Sequence, residues 1–155
     1  MKRRHFLAFT FSMFSFTTEG LTEDYREQRP EAWKAFSLND AAMALYGKEK
    51  FATMQKSTQL ELIVPKGIVK DREDISITIR SSIKAKSVAI FQDVNPKSLV
   101  AVFEISDENI IDYTFSIRMA FKGTVFAVVE RLDGTLHYTR AYIDILTLGC
   151  MASGD

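Results

Sequence analysis

The sequence predicts an all-β fold: an immunoglobulin-like antiparallel β-sandwich of about seven strands, with a short helical N-terminal part and a flexible C-terminal arm. Two observations predict it. From residue 58 onward apolar and polar side chains alternate, which is the period of a strand with one buried face. Turn signals such as Asn95-Pro96 and Asp133-Gly134 separate the alternating runs. The Cys…Trp…Cys pattern of antibody domains is absent, so the prediction depends on strand number and spacing.

Residues 1–18 have the composition of an export signal. Arg3 and Arg4 precede Phe6 and Leu7, and an apolar stretch continues to Phe16. A helix of about thirteen residues spans only about 20 Å, whereas the hydrocarbon core of a bilayer is about 30 Å thick. Paired arginines before x-Phe-Leu are typical of a twin-arginine signal peptide. We therefore predict export to the periplasm and no stable membrane insertion after cleavage; an apolar N-terminal strand or a membrane anchor is the alternative.

Residues 19–57 are predicted to form a helical N-terminal segment. Its first part, residues 21–29, is charged and is expected to be a loose lead-in. Pro30 can occupy the first turn of a helix, where its missing N–H does no harm. A second helix is expected to begin at a cap near Ser37 and to end at Gly47. The remainder is expected to be a polar connection that could include a helical turn.

Residues 58–148 are predicted to form the sandwich. The predicted strands are 60–64, 75–80, 88–91, 99–105, 111–119, 124–130 and 136–148. The strand at 124–130 is apolar on both faces, with Phe126 and Val128 on one side and Val125 and Val129 on the other. Such a strand is either central in the core or covered by another chain. We expect a partner to cover at least one outer face of the sandwich.

The composition excludes several classes of function. The chain has 155 residues, with 20 basic and 20 acidic side chains, two His and one Cys. A net charge of zero gives no electrostatic footprint for nucleic acid. One Cys excludes an internal disulfide, and distant His and Cys residues do not suggest a metal site. There is no glycine-rich phosphate loop, His-Glu-x-x-His or Gly-x-Ser-x-Gly, so neither a cofactor nor an enzyme activity is predicted.

Cys150 is the candidate functional atom, because it follows the last predicted strand instead of lying within it. Residues 149–155 are predicted to form the arm that carries it. An exposed thiol in an exported protein can react with oxidants, other thiols or a partner enzyme. It can also be incidental or form an intermolecular disulfide. Pairing with His137 is not expected, since about thirteen extended residues between them span about 40 Å.

The sequence resembles the SoxY family, the carrier subunits of thiosulfate oxidation. The matching features are Arg3-Arg4-His5-Phe6-Leu7, Leu45-Tyr46-Gly47, Leu60-x-Leu62-x-x-Pro65, Ile90-Phe91-x-x-Val94-Asn95-Pro96-x-x-Leu99-Val100-Ala101-x-Phe103, Thr114-Phe115-Ser116-Ile117-Arg118-Met119-Ala120, Val128-Val129 to Asp133-Gly134, and Gly149-Cys150. The resemblance covers nearly the whole chain. Its most specific parts are the central Asn-Pro-x-x-Leu-Val-Ala-x-Phe stretch and the C-terminal Cys.

The resemblance implies a covalent sulfur carrier of the periplasm and not an enzyme. In that family the C-terminal Cys holds the substrate sulfur and enters separate enzymes in turn. These are a haem enzyme that couples thiosulfate to the thiol, a hydrolase that releases sulfate, and a sulfane dehydrogenase. The resemblance also implies a heterodimer with SoxZ, a second immunoglobulin-like subunit. The alternative is a non-catalytic interaction subunit whose Cys150 is incidental or forms a dimer.

The arm departs from the family pattern Gly-Gly-Cys-Gly. Leu148 replaces the first Gly, Gly149 is kept, and Met151 replaces the Gly after Cys150. Because glycine has the greatest conformational freedom and the smallest cross-section, this arm is expected to be stiffer and bulkier. The chain is then either a variant carrier with adapted partner enzymes or a paralogue that has lost part of the cycle.

Overall fold

The computed structural model describes residues 24–106 and 110–146. Within those ranges the chain forms four short helices and nine strands. The helices are α1 Tyr25–Gln28, α2 Pro30–Lys34, α3 Leu38–Tyr46 and α4 Lys48–Ala52. The strands are β1 Gln55–Lys56, β2 Leu60–Ile63, β3 Ile68–Val69, β4 Ile75–Ser81, β5 Ala85–Gln92, β6 Leu99–Glu104, β7 Ile111–Ile117, β8 Gly123–Arg131 and β9 Leu136–Ile145. No helix in these ranges has the length and apolar character needed to cross a membrane.

The strands form two sheets, which confirms the predicted sandwich. The larger, six-stranded sheet has the order β1-β9-β8-β5-β6, with β3 also on β9; the smaller has the order β2-β4-β7. The long strands pair antiparallel, as in the alignment of Val128 with Tyr138 across β8 and β9. The predicted strands correspond to β2 and β4 to β9. Sequence periodicity missed β1 and β3, which are two residues long and pair parallel with β9.

The main hydrophobic core lies between the two sheets. From β4 it contains Ile75, Ile77 and Ile79, the residues whose alternation with Ser76, Thr78 and Arg80 predicted the strand. The inner face of β8 contributes the side chains of Val125, Ala127 and Val129. The outer face of the small sheet is polar, since the hydroxyls of Thr78 and Thr114 hydrogen-bond at 2.8 Å and Arg80 pairs with Asp112 at 3.1 Å.

A second core lies between the helices and the outer face of the larger sheet. Ala41, Ala42 and Leu45 of α3 pack there with Phe91 and Val128 of the sheet. The molecule therefore has three layers, in the order helices, large sheet, small sheet. Both apolar faces of β8 are covered by this chain itself, one by the helices and one by the small sheet. Of the two alternatives for this strand, the structure therefore shows the first: β8 is central in the core, and its apolar character does not by itself indicate a partner.

The N-terminal segment is more helical than the sequence predicted. A loose lead-in was expected at residues 21–29, but α1 forms there because the Asp24 carboxylate caps its first turn, accepting from the N–H of Arg26 at 2.9 Å. The Trp33 indole also donates to the Tyr25 carbonyl at 3.3 Å. Gly47 ends α3 as predicted, with a φ of 90° that favours glycine.

Candidate functional site

The predicted site residues lie outside the described part of the chain. These are Leu148, Gly149, Cys150 and Met151 of the arm, together with Arg3, Arg4, Phe6 and Leu7 of the export signal. The described chain ends at Leu146, four residues before Cys150. The structure therefore shows the end of the sandwich from which the arm departs, which we call the arm root. It consists of the end of β9, strand β3 and the loops after β5 and β7.

The end of β9 is held on both sides. Ile143 is aligned with Gly123 of β8, and on the other side Ile145 is aligned with Val69 of β3. The N–H of Leu146 donates to the carbonyl of Val69 at 2.9 Å, one residue beyond the strand. A strand end frays unless pairing holds it in place. Since the end of β9 is paired up to Leu146, this last described residue has a fixed place on the sheet. Strand β3 is thus a short clamp on the arm root.

The loop after β5 is organised by one buried side chain, Gln92. Its amide oxygen accepts from the N–H of Val94 at 2.8 Å and of Asn95 at 2.6 Å, and its amide nitrogen donates to the carbonyl of Lys97 at 2.7 Å. Gln92 is fully buried. These bonds satisfy the backbone groups of a loop that has no strand to pair with. The sequence analysis missed Gln92, because a lone Gln at a strand end carries no distinctive signal.

Asn95 joins this loop to the loop after β7. Its side-chain amide donates to the carbonyl of Arg118 at 2.8 Å, and its oxygen accepts from the N–H of Ala120 at 2.7 Å. Both loops lie at the end of the sandwich where β9 ends. The start of β8 is aligned there with the ends of β5 and β9, and the loop after β7 leads into it. The predicted turn at Asn95-Pro96 is confirmed and has a second role, which is to brace the neighbouring loop.

Gly123, at the start of β8, allows a close approach of these loops. A Cβ atom at this position would collide with the side chains of Val94 and Asp93. Asp93 also accepts from the N–H of Thr124 at 2.8 Å. The loop after β5 thus lies directly against the strand that holds Ile143, so the packing of the arm root requires glycine at position 123.

The surface around the arm root carries both charges and exposed apolar groups. Arg118 pairs with Glu73 at 2.5 Å, and Arg72 lies 3.6 Å from the same carboxylate. Ile68 is 60% exposed and Phe121 is 57% exposed. Among the described residues this surface therefore combines both signs of charge with exposed apolar side chains.

His137 lies at the other end of β9, where it is aligned with Gln55 and Val129. The ten residues of β9 span about 30 Å, so His137 is far from the arm root. Residues 24–106 and 110–146 contain no group of three or more His, Cys, Asp or Glu placed to hold a metal ion.

Together these features define an immunoglobulin-like β-sandwich protein. Its last strand is paired on both sides up to Leu146, and the cysteine-containing segment follows in the sequence. Residues 42–150 match the family model for sulfur oxidation protein SoxY. This match covers most of the chain, and the chain belongs to the SoxY family. The family match includes Cys150.

Solved structures agree with this assignment. The sulfur carrier protein SoxY from Chlorobium limicola f thiosulfatophilum superimposes with a TM-score of 0.62 at 25% identity, covering 73% of this chain and 95% of that one. A superoxide reductase (neelaredoxin) from Ignicoccus hospitalis gives a TM-score of 0.50 at 13% identity, covering 57% of this chain and 80% of that one, and shows a similar fold only. No curated protein sequence matches the chain.

Proposed function

We propose that this protein is a periplasmic sulfur carrier that holds thiosulfate-derived sulfur on Cys150 and presents it to separate enzymes. The observation that carries the proposal is the family match, which extends to Cys150, the one thiol of the chain. The clamped arm root supports it. Four residues beyond Leu146 reach at most about 14 Å, so the carrier thiol belongs within that distance of a strand end that is fixed on the sheet.

The loading step forms one S–S bond. The Cys150 sulfur bonds to the outer sulfur of thiosulfate, the thiol proton goes to solvent, and two electrons pass to the haem enzyme. In the next step a hydrolase adds water, breaks the bond between the two thiosulfate sulfurs and releases sulfate, leaving one sulfur on Cys150. A sulfane dehydrogenase then removes six electrons from that outer sulfur while three waters supply its oxygens and six protons leave to solvent. A second hydrolysis breaks the bond between the Cys150 sulfur and the resulting sulfonate, which releases sulfate and restores the thiol. The carrier residues supply only the nucleophile and its reach.

The remaining parts of the proposal come from the family. Arg3 and Arg4 direct the folded chain through the twin-arginine route, and a SoxZ-type subunit travels with it as a heterodimer. Bulky neighbours at Leu148 and Met151 restrict entry to narrow active sites, so the partner enzymes of this carrier are expected to have wider entrances than those that accept a glycine arm.

The test is intact mass spectrometry of the exported protein after exposure to thiosulfate and the haem coupling enzyme. We expect the mass to increase by one thiosulfate group less the thiol proton. Because Cys150 is the only cysteine, Cys150→Ser removes every thiol and is expected to abolish both the adduct and thiosulfate-dependent respiration. Met151→Gly is the matched arm variant, which keeps the thiol and should load at least as fast as the wild type.

Two results would contradict the proposal. One is normal thiosulfate oxidation by Cys150→Ser. The other is a permanent disulfide dimer on non-reducing gels of protein from the periplasm, because such a dimer leaves no thiol to carry sulfur. That second result would instead support the alternative, an interaction subunit whose cysteine joins two chains.

A further inference from the structure

Among the strands of the described ranges, β6 is an edge strand of the larger sheet and pairs with β5 alone. Its residues Leu99 to Phe103 are all apolar, and the first charged residue is Glu104 at its end. Natural proteins usually protect a sheet edge with charges or proline, because an open apolar edge recruits other strands. The edge strand β7 of the small sheet follows that rule, with Asp112, Thr114 and Ser116 at alternate positions.

The hydrogen-bonding register shows which backbone groups of β6 face outward. Ile105 donates to the carbonyl of Lys86 on β5 at 2.9 Å, and Ala89 is aligned with Val102. Since the direction of backbone groups alternates along a strand, the N–H and C=O of Val102 point away from β5. Within residues 24–106 and 110–146 neither group has a hydrogen-bond partner. A bulge at Val100 disturbs only the beginning of the strand.

On the helical side, two connected grooves follow this edge. One, of about 440 Å³, lies between Arg26, Trp33 and the stretch from Val100 to Val102. The other, of about 460 Å³, continues along Trp33 to Lys97 and Leu99. The Arg26 guanidinium lies 4.3 Å from the centre of the Trp33 ring. The lining of the grooves includes one carboxylate, that of Asp24, which caps α1. Of the basic residues, Lys34 pairs with Glu31, whereas neither Arg26 nor Lys97 has an ion-pair partner within the described ranges. The net charge of the lining is positive. The grooves therefore favour an acidic occupant.

On the opposite side, an aromatic cluster closes the gap between β6 and β7. The Phe103 ring stacks on Tyr113 with centroids 5.5 Å apart and contacts Phe115 at 5.1 Å. All three rings are only half-buried. The strand thus has aromatic rings on both sides and an arginine on the helical side, which are residue types enriched in binding hot spots.

We propose that β6 binds an extended strand of the second immunoglobulin-like subunit, which adds to the large sheet as its next strand. This inference rests on the proposed function, in which such a subunit accompanies the chain. The bound strand exchanges backbone hydrogen bonds with Val102. Toward the helices it places an acidic side chain against Arg26 and Lys97, and toward the small sheet an apolar side chain against Phe103.

The test measures the affinity of the full chain for the purified SoxZ-type subunit of the same organism. Trp33 fluorescence serves as the binding signal, and sedimentation confirms that the complex forms. Val102→Pro removes the outward N–H, which makes no hydrogen bond to any residue that the structure describes, so the variant should fold with a near-normal melting temperature. We expect its affinity to fall at least about tenfold. The matched Val102→Ala variant keeps the N–H and should retain most of the affinity.

A charge reversal tests the groove independently. Arg26→Glu should weaken binding at low salt, and the loss should shrink as salt is added. Lys48→Glu is the matched control, because it makes the same charge change on α4. Lys50 and Phe51 of that helix lie over β8 and β9, away from the grooves, so this variant should bind like the wild type.

The inference is overturned if Val102→Pro binds as tightly as the wild type. It is also overturned if β6 instead joins two copies of this chain, seen as a wild-type dimer that Val102→Pro abolishes. If the wild-type chain does not bind the subunit at all, then the heterodimer of the proposed function fails as well. Sulfur loading on Cys150 is a separate measurement, which is unaffected by any of these results.

Discussion

At the scale of single residues, the ion pair between Lys50 and Glu130 joins the helical layer to the sheet. The two charged atoms are 2.6 Å apart, and the Glu130 side chain is 8% exposed whereas that of Lys50 is 46% exposed. Beside them Tyr46 is buried, and this burial, reinforced by the charge of Glu130, raises the pKa of its phenol far above the ordinary value. The Tyr46 hydroxyl therefore stays protonated, and Lys50 supplies the positive charge beside this carboxylate.

Removing Lys50 should be costly because it leaves a buried carboxylate without its partner. We expect Lys50→Met to lower the free energy of unfolding by about 1–3 kcal/mol, the usual range for such a charged hydrogen bond. Chemical denaturation of the purified protein measures it. The double variant Lys50→Met/Glu130→Gln should recover part of the loss, since the remaining group is neutral. Equal stability of Lys50→Met and wild type would mean that water replaces the lysine at no cost.

At the scale of elements, the hairpin between β8 and β9 sets the register of β9, the strand that precedes the arm in the sequence. The Asp133 carboxylate accepts from the Thr135 hydroxyl at 2.6 Å and from its N–H at 2.9 Å. Gly134 has a φ of 82°, which suits glycine, and its N–H donates to the carbonyl of Arg131 at 2.9 Å. The hydroxyl of Thr135 first, and then its N–H, hold the pKa of Asp133 below the ordinary range.

This lowered pKa makes hairpin stability depend on pH. Because the folded state favours the charged form, the contribution of Asp133 is present above its unfolded pKa of about 3.9 and is lost as the pH falls through the lower folded pKa. We expect Asp133→Ala to reduce the melting temperature at neutral pH and to have a smaller effect in strong acid. Thermal unfolding at both pH values measures this, and an effect that is the same in acid would exclude the charged hydrogen bonds as its cause.

The elements also show what could be predicted from the sequence. Strands of four residues or more were found, because alternation such as that of Ile75, Ile77 and Ile79 reflects burial between two sheets. The clamp β3 was not found, since two residues carry no period and its pairing with β9 is a tertiary contact. Cys150 was singled out by its position after the last strand. The residues that shape the arm root, Gln92 above all, became visible only through their hydrogen bonds.

At the scale of the whole molecule, the N-terminal helices share a hydrophobic core with the larger sheet of the sandwich. Phe91 and Val128 of the central strands are buried under α3. This contact with the helix explains why the outward-facing side of β8 is apolar. If the helices came away, the outer face of the larger sheet would be exposed next to the open edge of β6. The helical layer therefore protects a surface that would otherwise associate with other chains.

Trp33 makes this coupling measurable, because the only tryptophan of the chain lies in α2 and reports the helical layer, whereas the amide I infrared band of β-sheet reports the strands. We expect the two signals to give one coincident unfolding transition in denaturant, as required of a two-state unit. Ala41→Glu places a charge in the core that α3 shares with the sheet, where Ala41 is 0% exposed, and should destabilise both signals together by about 3 kcal/mol or more. The exposed substitution Lys48→Glu serves as its control. If Trp33 fluorescence changes well before the β-sheet infrared band, the helices unfold separately from the sandwich.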